Sequence, residues 1–360
     1  MQKNQTAQIA VLAGDYIGPE IMAAGLEVLK AVSEDGKFNY QIHEEPFGGA
    51  AIDQAGDPLP AQTLATCQQS DAILLAAIGG PKWDNAEKRP EAGLLQIRKE
   101  LNLFANIRPT AISEAMRQYS PIKNENPVDF VIVRELTSGI YFGTPREKTA
   151  DYALDTMRYR KEEIQRITKL AFEMATKRRN HVTLVDKANV LATSKFWREI
   201  VGEIAQDYPQ VNYDTSYVDA AAMKIISSPD QFDVILTENL FGDILSDESA
   251  EITGSLGTIP SMSQGSNGPA LYEPIHGSAP DIAGKGIADP ISMVKSVAMM
   301  LANSFDRQDL ATEITNAINE VISQQVVTPD LGGHATTKEV TAAIISSIKE
   351  SRHSYATDNV

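Results

Sequence analysis

The sequence has little of what secreted, membrane-spanning or nucleic-acid-binding proteins require. Its 360 residues include one cysteine, Cys67, so no disulfide can form within the chain, which favours a reducing compartment. The most apolar run, at 72–80, is too short to span a bilayer, and residues 1–15 lack the apolar core of a secretion signal. The formal net charge of −16 repels phosphate backbones. We therefore expect a soluble, cytoplasmic protein that binds neither nucleic acid nor a membrane.

Short apolar runs alternate with segments of helical periodicity along the chain. This alternation predicts an α/β fold with parallel strands. The predicted strands lie at 8–15, 72–81, 104–109, 128–136, 181–187 and 232–239. Helices are predicted at 18–32, 90–103 and 160–179, with three more over 291–351, and the most flexible loop is expected at 261–270. Composition marks no linker or repeat, so it sets no domain boundary.

The segment 238–254, ENLFGDILSDESAEITG, is the stretch around which the chemistry is organised. A buried strand is predicted to end at Glu238, and after a glycine turn a helix begins. The apolar positions of that helix are Ile244, Leu245 and Ile252. Asp243 and Asp247 are four residues apart, which places their Cβ atoms roughly 5–6 Å apart on one helix face. Such a pair either binds a divalent cation such as Mg²⁺ or is an acidic, solvated helix start.

Several cationic and polar residues are predicted at the edge where an active site would form. Polar pairs follow three predicted strands, at Arg134–Glu135, Asp186–Lys187 and Glu238–Asn239. In open parallel sheets the ligand crevice lies outside the carboxyl ends of the strands, so these groups are expected to converge. Arginines suit the binding of carboxylate or phosphate, and a tyrosine or lysine can act as acid or base when its pKa is shifted. The candidates are Arg98, Arg108, Arg134, Tyr141 and Lys187, with Asp219 as a third acidic candidate at a helix start.

A nucleotide site is predicted at 273–290, EPIHGSAPDIAGKGIADP. No GxGxxG follows the first predicted strand, which excludes the ordinary Rossmann fingerprint. The glycines of 273–290 permit close backbone approach to phosphate, and Asp281 could accept hydrogen bonds from ribose hydroxyls. A carboxylate there would repel a 2′-phosphate, which favours NAD over NADP. The pattern alone is also that of a plain loop.

Seven motifs, in this order along nearly the whole chain, resemble the β-decarboxylating dehydrogenases, the isocitrate/isopropylmalate dehydrogenase family. They are GDYIGPEI, GGPKW, GLLQIRKELNLFANIRP, VRELTSGIYFG, VDKANVL, ENLFGDILSDE and HGSAPDIAGKGIADP. The resemblance implies an α/β fold with a two-lobed, open, twisted mixed β-sheet flanked by helices. It implies a cofactor-binding lobe at 1–103 and 254–360, and a lobe for substrate, metal and dimer formation at 104–253.

The resemblance also implies a role for each matching residue. Mg²⁺ or Mn²⁺ would bind to Asp219, Asp243 and Asp247, with Asp219 coming from the second subunit of a homodimer. Tyr141 and Lys187 match the catalytic pair, and Lys187 also reaches across the dimer. Substrate would contact Leu94, Leu95, Arg98, Arg108, Arg134, Asn189, Val190 and Asp219. NAD would contact Gly80, Glu91, His276, Gly277, Ser278, Ala279, Asp281, Gly286 and Asp289.

The implied reaction is the oxidative decarboxylation of 3-isopropylmalate to 4-methyl-2-oxopentanoate and CO₂, with reduction of NAD, in leucine biosynthesis. Leu94 and Leu95 lie near the helical face of Arg98, and an apolar pocket suits an isopropyl group better than the third carboxylate of isocitrate. Both leucines could also be plain core residues. D-malate, tartrate, isocitrate and homoisocitrate are alternative substrates. Outside this reaction class, the alternatives are a solute-binding protein and a metal-dependent lyase that uses no nicotinamide.

Three positions depart from the family pattern. Tyr16 stands where the family usually has glycine, and Ala220 and Asp289 stand where it usually has asparagine. An ionised aspartate accepts hydrogen bonds but cannot donate one, so Asp289 is expected to weaken NAD binding somewhat. Ala220 could loosen the support of Asp219.

Overall fold

The structure, a computed structural model, describes residues 6–123 and 125–357. Within those residues the strands are β1 (Ala7–Gly14), β2 (Tyr40–Glu44), β3 (Ala72–Ala77), β4 (Ala105–Ile112), β5 (Val128–Glu135), β6 (Arg146–Lys148), β7 (Ala153–Asp155), β8 (His181–Asp186), β9 (Asn212–Tyr217), β10 (Val234–Thr237), β11 (Pro260–Gln264) and β12 (Ala270–Pro274). The helices are α1 (Gly18–Ser33), α2 (Gly49–Ala55), α3 (Ala61–Gln69), α4 (Pro90–Glu100), α5 (Lys161–Thr176), α6 (Ala192–Ala205), α7 (Val218–Ser227), α8 (Asn239–Glu251), α9 (Ile291–Phe305), α10 (Gln308–Ser323) and α11 (Thr337–Thr357).

The chain folds into two compact units. The first comprises the described parts of Met1–Leu101, Glu114–Tyr119 and Gly254–Val360, and the second comprises those of Asn102–Ser113 and Ser120–Thr253. The lobes expected from the family resemblance divide the chain at 103/104 and 253/254. They assign the short segment 114–119 to the second lobe, whereas it belongs to the first compact unit.

The first unit is built on a mixed sheet of strand order β2-β1-β3-β12-β11, in which only the β11–β12 pair is antiparallel. The helices α1, α9, α10 and α11 pack against one another, and α1 and α9 also contact β3. Every residue of β3 is buried, which explains its uninterrupted apolar sequence. Gly14 pairs with Ala77, so the loops that follow β1 and β3 leave the sheet side by side.

The second unit has the strand order β4-β5-β10-β8-β9, in which β4 is antiparallel to β5 and the other neighbours are parallel. Helix α8 packs on β5, with Leu245 fully buried beside Phe130, Ile132 and Ile235. Thr237 pairs with both Arg134 and Val185, so β5, β10 and β8 end at one level. This confirms the expectation that polar strand ends converge.

Four local predictions were wrong. The strand β4 continues through Pro109 to Ile112, because proline's fixed φ is compatible with an extended backbone and its missing N–H removes only one donor. The loop expected at 261–270 contains most of β11 and the start of β12, which pair with each other. Helix α8 begins at Asn239, so Gly242 lies in its first turn and not in a preceding turn. Ile244 is 58% exposed, whereas Leu245 and Ile252 are core residues as expected.

The composite α/β fold with a large mixed sheet flanked by helices is confirmed. In the part of the chain that the structure describes, no helix is both long and apolar enough to span a membrane.

Candidate active site

In the second unit, two arginines and a tyrosine surround the two aspartates of α8. We call Arg108, Arg134, Tyr141, Asp243 and Asp247 the acid–arginine cluster. Arg108 lies in β4, Arg134 is near the end of β5, and Tyr141 ends the short 3₁₀ turn Gly139–Tyr141. The sequence-predicted residues of this unit therefore meet from four separate segments.

Direct hydrogen bonds connect the members of the cluster. Arg134 Nη1 donates to Asp243 Oδ1 at 2.6 Å, and the Tyr141 hydroxyl donates to Asp243 Oδ2 at 2.9 Å. Arg108 Nη1 donates to Asp247 Oδ1 at 3.2 Å. The guanidinium of Arg134 lies 5.9 Å from the centre of the Tyr141 ring. Each carboxylate thus has a cationic partner, as a pair of acids held close together requires.

The first turns of α8 position both arginines. Asn239 Oδ1 accepts a hydrogen bond from Arg134 Nε at 3.0 Å, and Ser246 Oγ accepts one from Arg108 Nη1 at 2.6 Å. A Cβ atom at Gly242 would lie 2.6 Å from Arg134 Cγ, so glycine is what allows the arginine to cross the helix there. Arg134 is 3% exposed, and its charge is directed at Asp243 because these contacts leave it little other freedom.

Burial and neighbouring charge shift the titration of this cluster. Burial raises the pKa of Tyr141, and its hydrogen bond to Asp243 raises it further. The phenol therefore keeps its proton at neutral pH and can act as a proton donor. Burial also raises the pKa of Asp247, opposed by Arg108 and reinforced by the neighbouring charge of Asp243. Burial is the largest of these effects on Asp247, and Arg108 opposes it more strongly than Asp243 reinforces it.

Lys187 and Asp219 form a second group at the carboxyl edge of the same unit's sheet, after β8 and β9. Lys187 follows β8, Asp219 lies in the first turn of α7, and Lys187 Nζ donates to Asp219 Oδ1 at 2.8 Å. That hydrogen bond lowers the pKa of Asp219, which is exposed. Asn189 and Val190 are exposed in the turn after Lys187, with Val190 65% exposed. Ala220 follows Asp219 in α7 and is half-buried.

Among residues 6–123 and 125–357, no three acidic, histidine or cysteine side chains come close enough together to hold a metal ion within one chain. Asp243 and Asp247 come together and Asp219 does not join them. The donor set nevertheless suits a hard divalent cation, because carboxylate oxygens are the ligands such ions prefer. The charge of Asp243 acts to raise the pKa of Asp247, so the two carboxylates repel each other and a cation beside them would be favourable.

In the first unit, Asp15 ties together three loops at the carboxyl ends of strands. Its buried carboxylate accepts N–H groups from Gly49 at 2.8 Å, Ala50 at 2.7 Å and Gly79 at 2.8 Å. Ser278 joins the same place, because its Oγ donates to the Gly79 carbonyl at 2.7 Å. The loop that contains the predicted nucleotide residues is therefore fastened beside the ends of β1 and β3.

The predicted cofactor residues lie around this junction and along the segment that follows it. A Cβ at Gly79 would approach Glu91 Oε1 at 2.7 Å, so Glu91 of α4 reaches the loop after β3. A Cβ at Gly80 would lie 2.3 Å from the Tyr16 ring, and Tyr16 has a left-handed φ of 50° and packs edge-on against Trp83. The Tyr16 ring thus covers the backbone at Gly80, which a glycine at position 16 would leave open.

The segment from His276 to Asp289 has the open backbone that a dinucleotide needs. No described atom lies within 4 Å of where a Cβ would stand at Gly277, Gly284 or Gly286. Ala279 has a left-handed φ of 40°, and Asp281 is exposed. Burial lowers the pKa of His276, whose Nε2 is buried without a hydrogen-bond partner among the described residues. An unpartnered buried ring nitrogen and an uncovered glycine backbone fit a ligand with polar groups.

Asp289 is buried at the start of α9. Its Oδ1 accepts the Ile291 N–H at 2.8 Å, and Asp330 is a neighbouring acid. Burial raises the pKa of Asp289 well above its ordinary value, Asp330 adds to the shift, and Lys295 opposes it. Burial in turn lowers the pKa of Lys295 to about 8. The expectation that Asp289 is an ionised acceptor therefore needs revision, because the buried carboxyl favours its protonated form, which can donate.

Arg98 and the two leucines before it lie on α4. Arg98 is 8% exposed, and its Nη2 donates to Glu273 Oε1 at 3.1 Å. Leu94 and Leu95 are both half-buried and are not part of the core, so their side chains remain accessible to a ligand. The interpretation of these leucines as plain core is wrong.

Four supporting residues hold a predicted residue or loop through a polar contact: Asp15, Asn239, Ser246 and Glu273. Asn239 was predicted as part of a polar strand end and Glu273 as part of the segment 273–290, whereas Asp15 and Ser246 were not predicted. Asp15 stands directly after a buried strand, which is a signal that could have identified it. Ser246 and Glu273 give no such signal, because their partners are 138 and 175 residues away in the sequence.

Comparison with known proteins points in one direction. A family model described as isocitrate/isopropylmalate dehydrogenase matches residues 8–344. The 3-isopropylmalate dehydrogenase of Streptococcus thermophilus is 56% identical over 345 residues, covering 95% of this chain and all of that protein. The 3-isopropylmalate dehydrogenase of Lactococcus lactis is 57% identical, covering 94% of this chain and 98% of that protein.

Solved structures of similar fold belong to related enzymes. The crystal structure of isocitrate dehydrogenase from Methylococcus capsulatus superimposes with a TM-score of 0.86 at 35% identity, covering 95% of this chain and 99% of that one. A β-decarboxylating dehydrogenase from Thermococcus kodakarensis gives a TM-score of 0.80 at 37% identity, covering 96% of this chain and 97% of that one.

Proposed function

The chain belongs to the isocitrate/isopropylmalate dehydrogenase family, and on this premise we propose that it is a nicotinamide- and metal-dependent dehydrogenase acting on 3-isopropylmalate. The reaction removes a hydride from C2 and a proton from the C2 hydroxyl. The 2-keto acid then loses its β-carboxylate as CO₂, and protonation of the resulting enol yields 4-methyl-2-oxopentanoate. This places the enzyme in leucine biosynthesis.

The observation that carries the proposal is the acid–arginine cluster. A 2-hydroxy dicarboxylate requires cations for its carboxylates, an acid for the enol and oxygen ligands for a metal beside the hydroxyl. Arg108 and Arg134 supply the cations, Tyr141 holds a proton, and Asp243 and Asp247 supply the oxygens. Arg98, which is nearly buried in the first unit, is proposed to bind the substrate as well.

Each residue has a defined task in this proposal. Lys187 takes the hydroxyl proton as general base, and Tyr141 returns a proton to the enol carbon. NAD, when bound, would accept the hydride. A divalent cation, Mg²⁺ or Mn²⁺, held by Asp219, Asp243 and Asp247 would polarise the C2 oxygen. Arg134 keeps Tyr141 and Asp243 oriented through its contacts to both.

Substrate choice is proposed to rest on Leu94 and Leu95. They are half-buried on the same helix as Arg98, and apolar side chains there can enclose an isopropyl group. A substrate with a third carboxylate would bury a charge against them without a partner. Asn189 and Val190, beside Lys187, are proposed to complete the substrate contacts.

The cofactor is proposed to bind in the first unit. The segment from His276 to Gly286 offers open glycine backbone for the pyrophosphate, and Asp281 accepts hydrogen bonds from ribose hydroxyls. Its exposed carboxylate disfavours a 2′-phosphate, so NAD is preferred to NADP. Gly80 and Glu91, and Asp289 at the far end of the segment, are further proposed contacts.

The working enzyme is proposed to be a homodimer with shared active sites. Lys187 and Asp219 bind each other and not the acid–arginine cluster, so a second copy of the chain would bring them to it. Large apolar side chains stand exposed on α7 and α8 and on the β6–β7 hairpin, as a buried interface would need. They are Met223, Ile226, Ile244, Tyr152 and Leu154.

The direct test is NADH formation from 3-isopropylmalate with Mn²⁺ or Mg²⁺. D-malate, isocitrate and NADP serve as comparison substrates and cofactor. We expect turnover strongly favouring 3-isopropylmalate with NAD and abolished by a chelator. Turnover of a different 2-hydroxy acid would move the substrate assignment, and turnover that survives chelation would contradict the role of the aspartates.

A further inference from the structure

A buried glutamate is connected to the backbone of Lys187 through one serine. Glu238 follows β10 and is fully buried, and its Oε1 accepts a hydrogen bond from Ser194 Oγ of α6. Ser194 Oγ in turn accepts the backbone N–H of Lys187 at 3.1 Å. Ser194 is fully buried too, so no solvent competes for these bonds.

The same turn of backbone is held from its other side. The Lys187 carbonyl accepts the N–H groups of Val190 at 3.0 Å and Leu191 at 2.9 Å, which close the turn. Asp186 Oδ1 accepts the Ala188 N–H at 2.9 Å and is paired with Arg198. Ser194 therefore holds the backbone amide of Lys187, and with it the point from which the Lys187 side chain leaves the end of β8.

Glu238 is an unusual group to find in this place. Its Oε2 is buried and has no hydrogen-bond partner among the described residues. Burial raises the pKa of Glu238 to about 7, the Ser194 hydrogen bond lowers it, and the charge of Asp186 raises it. Tyr159, whose hydroxyl accepts the Asn239 N–H, is the other titratable neighbour, and Arg198 offsets the charge of Asp186. An ionised carboxylate offers Ser194 only acceptors, whereas an amide or a protonated acid also carries a donor.

We propose that Glu238 is a positioning residue for the reaction, which orients Lys187 through Ser194. The proposal rests on the proposed function, in which Lys187 is the general base. When Glu238 is ionised, the single hydroxyl proton of Ser194 is directed to the carboxylate and its lone pairs face the Lys187 amide. When Glu238 is protonated, its own hydroxyl competes as a donor to Ser194, and the support of Lys187 weakens.

The test is the pH profile of kcat at saturating substrate, NAD and metal for the wild type and for Glu238→Gln. We expect the wild-type profile to contain a rise near pH 7 that Glu238→Gln lacks. The variant, which resembles the protonated acid, should have a kcat lowered about threefold to tenfold at pH 8 and unchanged at pH 6. The KM for NAD should not move, because the change lies in the second unit.

Glu320→Gln is the matched control. Glu320 accepts a hydrogen bond from Ser347 Oγ at 2.5 Å between α10 and α11 of the first unit, so it is a serine–glutamate pair without a link to Lys187. Its profile should match that of the wild type. A Glu238→Gln enzyme that keeps the wild-type rise and a kcat within twofold at every pH would overturn the proposal.

Ser194→Ala provides the second readout. Because the Ser194 hydrogen bond lowers the pKa of Glu238, its removal should shift the infrared carbonyl signal of protonated Glu238 to higher pH, and kcat should fall across the range. No shift would contradict the proposal even if Glu238→Gln failed to fold. Failure of the proposed function is distinguishable, because the wild type would then not oxidise 3-isopropylmalate at any pH.

Discussion

At the scale of the residue, Asp289 shows how burial can reverse what a side chain offers a ligand. Asparagine donates and accepts hydrogen bonds at any pH, whereas aspartate donates only when protonated. The carboxyl lies buried beside Asp330, and its pKa is raised well above the ordinary value. The protonated form therefore substitutes for asparagine over a wider range of pH than an exposed aspartate could.

Asp289→Asn should therefore lower the KM for NAD at high pH and change it little at low pH. Above about pH 4 the variant should also have a higher free energy of unfolding than the wild type. In the wild type the unfolded chain loses the Asp289 proton there while the folded chain keeps it, so the folded state is increasingly destabilised as pH rises, and asparagine removes this effect. Steady-state kinetics and denaturant unfolding at several pH values measure both effects. Asp306→Asn, at an exposed left-handed position after α9, is the matched control and should change neither quantity. An unchanged KM for NAD at pH 9 would contradict this role of Asp289.

At the scale of the element, α8 combines two demands in its first turns. It must present two aspartates, and it must let Arg134 cross close to its backbone. Gly242 reconciles them, because a Cβ there would stand 2.6 Å from Arg134 Cγ and 2.7 Å from its Cβ. Glycine inside a helix costs roughly 0.5–1 kcal/mol relative to alanine, and here the close approach of the arginine offsets that cost.

Gly242→Ala should lower the free energy of unfolding by about 1–3 kcal/mol and raise the KM for 3-isopropylmalate, because Arg134 must move away from Asp243. Thermal or denaturant unfolding and kinetics provide the measurements. Gly202→Ala is the control within α6, where no described atom lies within 4 Å of the new methyl group. That change should raise stability by about 0.5–1 kcal/mol through helix propensity. Equal effects at both positions would refute the packing argument.

The elements themselves were largely predictable from the sequence, since apolar periodicity follows burial directly. The exceptions have physical causes: Pro109 is tolerated in β4, and Gly242 is inside α8 because an arginine from another strand passes over it. The contacts of the site were not predictable. Arg98 and Glu273 are 175 residues apart, and nothing local in either segment indicates the other. Motif resemblance supplied candidate residues, but only the fold supplied their partners.

At the scale of the whole molecule, the separation of the two groups in the second unit has one consequence for assembly. Tyr141 belongs to the acid–arginine cluster, and Lys187 belongs with Asp219. If each active site takes Tyr141 from one chain and Lys187 from another, a chain lacking either residue can still contribute to an intact site. A site contained within one chain has no such property.

Two inactive variants, Tyr141→Phe and Lys187→Ala, should therefore restore activity when their subunits are mixed by co-expression. In a mixed dimer one site receives both substitutions and the other receives neither, so random pairing should recover about a quarter of the wild-type activity. NADH formation from 3-isopropylmalate measures the recovery, and each variant assembled alone gives the baseline. A mixture of Tyr141→Phe with Arg134→Lys is the matched control, because both residues lie in the same cluster and every mixed dimer then has a substitution in each site. Recovery in the first mixture but not the second would establish the shared site. No recovery in either, with mixed dimers present by mass, would place Lys187 and Tyr141 of one chain in the same site.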